Sequence, residues 1–331
     1  MKRIISLILI LSLVFIAGCK KEEVSKETVE NPPVEIDENL PEYVTRPVAV
    51  MIDNDGPSSR PQKGLESAYM VYEILIEGGS TRTMAIFKDA PNMDKVGPIR
   101  SSRHYFLDFA LEHDAIYCHS GWSPKAMNDI PKLNVNNVNG ILGDDGKNFY
   151  RDNTYDSTWH NLYADLNKIY AYGVEKKGYK GTTNQKHIAY NNEEFDIEDG
   201  SNATNITLPY SYRYTVKYTY NPDEKVYTRY IDNEEHMSQT GDVLTAKNII
   251  VYNVKNYDLN DGENKGRQEF ETVGSGKGYY ITNGKASEIT WEKAGRTKKT
   301  VYKYADGTEL KLNPGNTYVQ IMPGKASITI E

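Results

Sequence analysis

Cysteine is almost missing from this 331-residue chain, which has only Cys19 and Cys118. A disulfide scaffold is therefore excluded, and stability has to come from packing. Long apolar runs are missing as well. Ile4 to Ile16, broken only by Ser6 and Ser12, is too short to cross about 30 Å of hydrocarbon as a helix. No basic run exists and the net charge is -7, which argues against nucleic acid and against adhesion to anionic headgroups. His-x-x-x-His and Cys-x-x-Cys spacings are absent, so His104, His113, His119 and His160 give no metal motif, and no metal or cofactor is expected. Ser101 and Ser102 stand outside any nucleophile elbow.

What is present begins with a leader. Lys2 and Arg3 precede the apolar run, which ends in Ile16-Ala17-Gly18-Cys19. Positive start, apolar core and small residues before a cleavage point predict a signal peptide over residues 1–18. The last four residues resemble a bacterial lipobox, in which the cysteine sulfur takes a diacylglycerol. Two acyl chains hold at a membrane where one would exchange. Cys19 is thus the expected lipidation site, with the rest of the chain outside the cytoplasm on the membrane face. Up to residue 44 follow three Lys against eight Asp or Glu, with Pro32-Pro33. So polar a stretch predicts a disordered tether over 19–44.

Two patterns divide the remainder. Residues 45–190 alternate strand-like and helix-like segments and predict an α/β domain, a layered mixed sheet with helices. Strands are expected at 47–52, 69–77, 81–88 and 114–119. Helices are expected at 99–112, after Ser123-Pro124 as N-cap and N1, and at 161–172. After a connection at 191–206, residues 207–331 carry short β runs separated by Asn-Pro-Asp, Asn-Gly, Asp-Gly and Pro-Gly turns. That pattern predicts an all-β domain, sandwich or barrel-like, without helices.

The chemistry concentrates in the arginines. Residues 46–151 hold six Arg and six Lys, whereas outside that window and the leader Lys outnumbers Arg by 21 to 4. A guanidinium presents a rigid fork that meets carboxylate or phosphate oxygens in pairs. Arg60, Arg82, Arg100, Arg103 and Arg151 are therefore candidates for geometric roles. If 99–112 is helical, Arg100 and Arg103 share one side of it at a first turn whose free N–H groups attract anions. Asp53, Asp55, Glu73 and Glu77 are acids at or near strand ends. Cys118 should point into the core with Ile116.

Several phrases resemble the YerB-like lipoproteins of Gram-positive bacteria, a family with two domains of unknown function. They are Arg46 to Asn54, Arg60-Pro-Gln, Val71-Tyr-Glu, Glu77-Gly-Gly-Ser-Thr-Arg82, Gly97-Pro-Ile-Arg-Ser-Ser-Arg103, His119-Ser-Gly, Phe149-Tyr-Arg-Asp152 and His160-Asn-Leu-Tyr163. In the second half Ala246 to Val251, Gly274-Ser-Gly276, Trp291-Glu-Lys and Pro314-Gly match as well. The resemblance implies an α/β domain followed by a β-rich one. It brings no established reaction, and the chain departs from the pattern at Thr158-Trp159, where a Pro usually precedes His160.

The polar residues of these phrases form the candidate ligand-binding set. From the first strand region come Asp53, Asn54, Arg60, Glu77 and Arg82. Arg100, Ser101, Arg103 and His104 belong to the longest phrase, and His119, Arg151, Asp152, His160 and Asn161 follow. The leading expectation is a non-enzymatic, membrane-tethered binder of a peptidoglycan-related anionic or polar ligand, or of a membrane-anchored wall-synthesis protein. The alternative is an envelope hydrolase or transferase using Asp53 or Glu77 with His104 or His160.

Overall fold

The computed structural model describes residues 44–331; the leader, Cys19 and nearly all of the expected tether lie outside the described residues. Five strands of the first half are β1 (Val48–Ile52), β2 (Met70–Leu75), β3 (Thr81–Phe87), β4 (Ile116–His119) and β5 (Asn137–Asn139). They lie in the order β2-β3-β1-β4-β5, antiparallel from β2 to β1 and parallel from β1 to β5. Every residue of β1, β2 and β3 is buried, which fits the unbroken apolar run of β1, while β2 and β3 also bury Glu73, Thr81, Arg82 and Thr83.

Three α-helices occur among the described residues: α1 (His104–Glu112), α2 (Pro124–Lys132) and α3 (Leu166–Glu175). Ser123 caps α2 as its sequence predicts, its Oγ accepting from the Ala126 amide at 3.3 Å. Helix α1 is buried on nearly all sides. One face packs on β2, where Phe109 stacks on Tyr72 with ring centroids 4.8 Å apart. An adjoining face meets second-half loops: Thr272 and Arg296 both bond Asp108.

Two helix boundaries differ from expectation. Residues 97–103 are extended, because their amides are engaged across the chain: Ile99 donates to Leu162 O at 2.6 Å, Arg100 to Met51 O at 3.0 Å and Ser102 to Gly121 O at 3.0 Å. Gly97 allows that close approach, since at its φ of +150° a Cβ would stand 2.8 Å from the Leu162 carbonyl oxygen. Helix α1 therefore starts at His104, not at residue 99. Likewise Leu162–Ala164 is a strand paired with Phe149–Arg151, and α3 begins only after Asp165, whose carboxylate accepts from Lys168 N.

The second half supplies β6 (Asn205–Ser211), β7 (Tyr214–Asn221), β8 (Val226–Ile231), β9 (Asn248–Val254), β10 (Gly274–Thr282), β11 (Lys285–Lys293), β12 (Thr300–Tyr304) and β13 (Thr317–Pro323). Asn283-Gly284 joins β10 to β11 with φ of 48° and 74°, the two left-handed positions a tight hairpin turn requires. Strands β12, β11, β10 and β9 lie side by side, and β13 runs parallel to β9 on one edge and to β2 on the other. One mixed sheet of eleven strands thus runs through both halves. Strands β6, β7 and β8 form a second, antiparallel sheet with shorter partners. It packs against the centre of the first: Tyr210 donates to Glu73 O at 3.0 Å, and Tyr218 meets Tyr318 edge-on.

Candidate functional site

Strand β1 leaves the sheet at Asp53-Asn54, and both side chains are fully buried there. The extended segment 97–100 runs antiparallel beside this end, with Asp53 N donating to Pro98 O at 2.8 Å, so Arg100 is delivered to the Asp53 carboxylate. Arg100 Nε lies 2.8 Å from Asp53 Oδ2, and His160 Nδ1 donates to the same oxygen at 2.6 Å. Burial pushes the Asp53 carboxyl upward, but the His160 hydrogen bond and the charges of Arg100 and Arg82 outweigh it and hold it below the usual carboxylate range. The same hydrogen bond raises His160.

Neighbouring pairs complete this rim. Arg103 binds Glu77 through two nitrogens, Nε to Oε2 at 2.9 Å and Nη2 to Oε1. Glu77 is held at about 2: burial raises it, and Arg103 lowers it further. Buried Arg82 donates to Ser101 O at 2.6 Å; burial, then the like charge of Arg103, draw it down to about 10, still protonated at neutral pH. Arg60 reaches Asn54 Oδ1 at 3.4 Å, and Arg151 donates to Asn161. Asp152 pairs with Lys95 at 2.6 Å.

Four expected relations change. Arg100 and Arg103 do not share a helix face, because in extended chain they diverge, one to Asp53 and the other to Glu77. The amides near Arg100 are not free for anions, since they pair with Met51 and Gly121. His104 meets Glu269 at 3.0 Å and not Asp53 or Glu77. His119 is fully buried, bonded to Gly121 O and Asn137, and burial lowers it to about 4. Cys118 is in the core beside the buried Ile116, and burial pushes its thiol up.

A deeper layer escaped the sequence reading. Glu73, in β2, forms a wholly buried ion pair with Arg229 of β8 at 2.7 Å. Asn54, Thr81 and Tyr214 also donate to Glu73. Arg229 Nη1 donates to Tyr218 OH at 2.7 Å and Nε to His236 Nδ1 at 3.0 Å, and His236 Nε2 meets Gln62 Oε1 at 2.6 Å. Burial and Arg229 keep His236 neutral, which fixes its proton on Nε2. One signal existed: Arg229 is spaced by two from Tyr227 and Ile231, both inward-facing.

Comparison with known proteins agrees with this architecture. Family models described as "Protein of unknown function (DUF3048)", N-terminal and C-terminal domains, match residues 35–180 and 206–319. The protein named "Putative lipoprotein YerB" of Bacillus subtilis strain 168 is 30% identical over 282 residues, 84% of this chain and 81% of its own. The crystal structure of YerB from Bacillus subtilis superposes with a TM-score of 0.73 at 29% identity, covering 86% of this chain and 94% of that one. No helix among the described residues is long and apolar enough to cross a membrane. With both halves matched in sequence and the fold shared, the chain belongs to the DUF3048 family, the YerB-like proteins.

Proposed function

We propose that this chain is exported, takes a diacylglycerol on Cys19 and binds an anionic, sugar-bearing cell-wall fragment at the Asp53 end of the sheet. The lipobox-like residues 16–19 and the description of a relative as a lipoprotein support the anchoring. Palmitate incorporation that persists in Cys19→Ser would remove it. The binding reading rests on Arg100. Its Nε stands 2.8 Å from buried Asp53 as an ion pair outside hydrogen-bond geometry, its two terminal nitrogens meet no partner among the described residues, and the side chain is 27% exposed. A guanidinium held by its base and open at its fork suits a carboxylate or phosphate. Trp159, next to His160, is 69% exposed and offers a flat apolar face for a sugar ring.

The test is titration of the lipidated chain in detergent with soluble peptidoglycan fragments and lipid-linked precursors. Saturable binding weakened at least tenfold by Arg100→Ala is expected. No binding to any of them leaves a membrane-anchored wall-synthesis protein as the partner, to be sought by crosslinking in cells.

A second reading is favoured by the Asp53–His160 pair itself. His160 Nδ1 is held by the carboxylate and Nε2 has no protein partner among the described residues, the arrangement of an oriented general base. Turnover of peptidoglycan that His160→Ala abolishes would establish a hydrolase or transferase, and its absence would leave the binder.

A further inference from the structure

A second cluster lies away from the Asp53 rim, at the C-terminal end of α1. Glu112 ends the helix, His113 follows it, Tyr72 comes from β2 and His187 from the chain beyond α3. Glu112, His113 and His187 each offer one ligand atom, all within 4.8 Å of one another. The Tyr72 hydroxyl sits among them, 2.8 Å from His113 Nε2, 3.3 Å from His187 Nε2 and 3.0 Å from Glu112 Oε1. Glu112 Oε1 and His187 Nε2 are 3.4 Å apart. Four N and O donors bound at about 2.0–2.1 Å to one tetrahedral ion stand roughly 3.3 Å from each other; the four separations above lie at or just below that spacing, and His113 lies within 4.8 Å of both Glu112 and His187.

The surroundings hold the donors in place. Glu112 divides its two oxygens: Oε2 accepts from Lys293 Nζ, Thr300 N and Thr300 Oγ1, each at 2.8 Å, which leaves Oε1 turned to the histidines. Tyr69 OH meets His113 Nδ1 at 2.6 Å and so directs Nε2 inward. Gln185 donates to Leu111 O and Glu112 O, tying the His187 segment to the helix end. Outer partners of this kind orient metal ligands and set their tautomers. His187 Nδ1 is buried without a protein partner, so hydrogen bonding within the protein leaves this side chain unfinished.

We propose that Glu112, His113 and His187, with the Tyr72 hydroxyl as fourth donor, bind one zinc-class divalent ion. Lys293 offsets the Glu112 charge in the metal-free protein and keeps its hydrogen bond to Oε2 when the ion is bound.

The full chain, purified without chelators, is analysed for metal and titrated with zinc against a chromophoric chelator. One equivalent is expected, and cobalt in its place should give the intense visible absorption of a tetrahedral N and O set. His187→Ala, at a half-buried loop position, should retain the native circular dichroism and lose zinc affinity at least tenfold, and His113→Gln should do the same. A natural chain that takes up neither zinc nor cobalt stoichiometrically overturns the proposal. So does a folded His187→Ala variant that binds as well as the natural chain.

Discussion

The Glu73–Arg229 and Asp53–Arg100 pairs join the same chemical groups about one residue apart along the network, since Asn54 touches Glu73 and follows Asp53. In the first, both side chains are 0% exposed and every nitrogen of Arg229 is used, with the rings of Tyr218 and Tyr318 5.4 and 5.2 Å from its guanidinium carbon. In the second, Arg100 is held to Asp53 by charge at 2.8 Å, none of its nitrogens is hydrogen-bonded among the described residues, and its side chain is 27% exposed. A completed buried pair can only brace. An incomplete one at the rim retains capacity for something that is not the protein.

Arg229→Ala should have the largest effect, about 3–5 kcal/mol in urea unfolding, because it strands Glu73 without a counter-charge. Replacing both partners, Glu73→Leu with Arg229→Met, should recover much of that loss. If Arg229→Ala costs under about 1 kcal/mol, the pair is not a brace. Arg103→Ala lies between the extremes, as Arg103 is 9% and Glu77 25% exposed, and should cost about 2 kcal/mol. Arg100→Ala should cost about 1 kcal/mol of stability while carrying the binding defect. Equal stability losses for all three would dissolve the distinction drawn here.

The smallest effect is a pH dependence. His160 is raised by its bond to Asp53, so the stability it contributes is full below about 6.5 and is lost as pH rises through its higher folded value. In Asp53, burial is outweighed by His160 and the arginines; its contribution is present above about 4 and is lost as pH falls through its lowered value. The His160 imidazole signal in NMR should titrate above 6.5 in the natural chain and fall in Asp53→Asn. An unchanged midpoint would mean the bond does not form in solution.

The sequence makes individual elements readable where local chemistry decides them. Ser123-Pro124 starts a helix, Asn283-Gly284 turns a hairpin, and the apolar run at 48–52 and the β-former-rich run at 81–87 are strands. Three arginines of the arginine-rich window, Arg82, Arg100 and Arg103, do come together near Asp53 and Glu77 in the fold. Pairings over long separations are not readable. Residues 99–103 have helix-compatible types, yet partners at 51, 121 and 162 draw their backbone into extension. Glu73 with Arg229, and Tyr72 with His187, are 156 and 115 residues apart, and no local pattern records such meetings. The continuous sheet is hidden for the same reason: β13 reads as one more β run, and nothing nearby says that it will lie against β2.

Strand β13 has a consequence for how the molecule comes together. Strand β13 alone lies between β9 and β2 in the sheet, so a chain without Thr317–Pro323 would leave a hydrogen-bonding edge of each of them unpaired. Exposed edges invite pairing with other chains. A molecule truncated before Thr317 should therefore be more prone to aggregate than the whole chain, for want of one seven-residue strand.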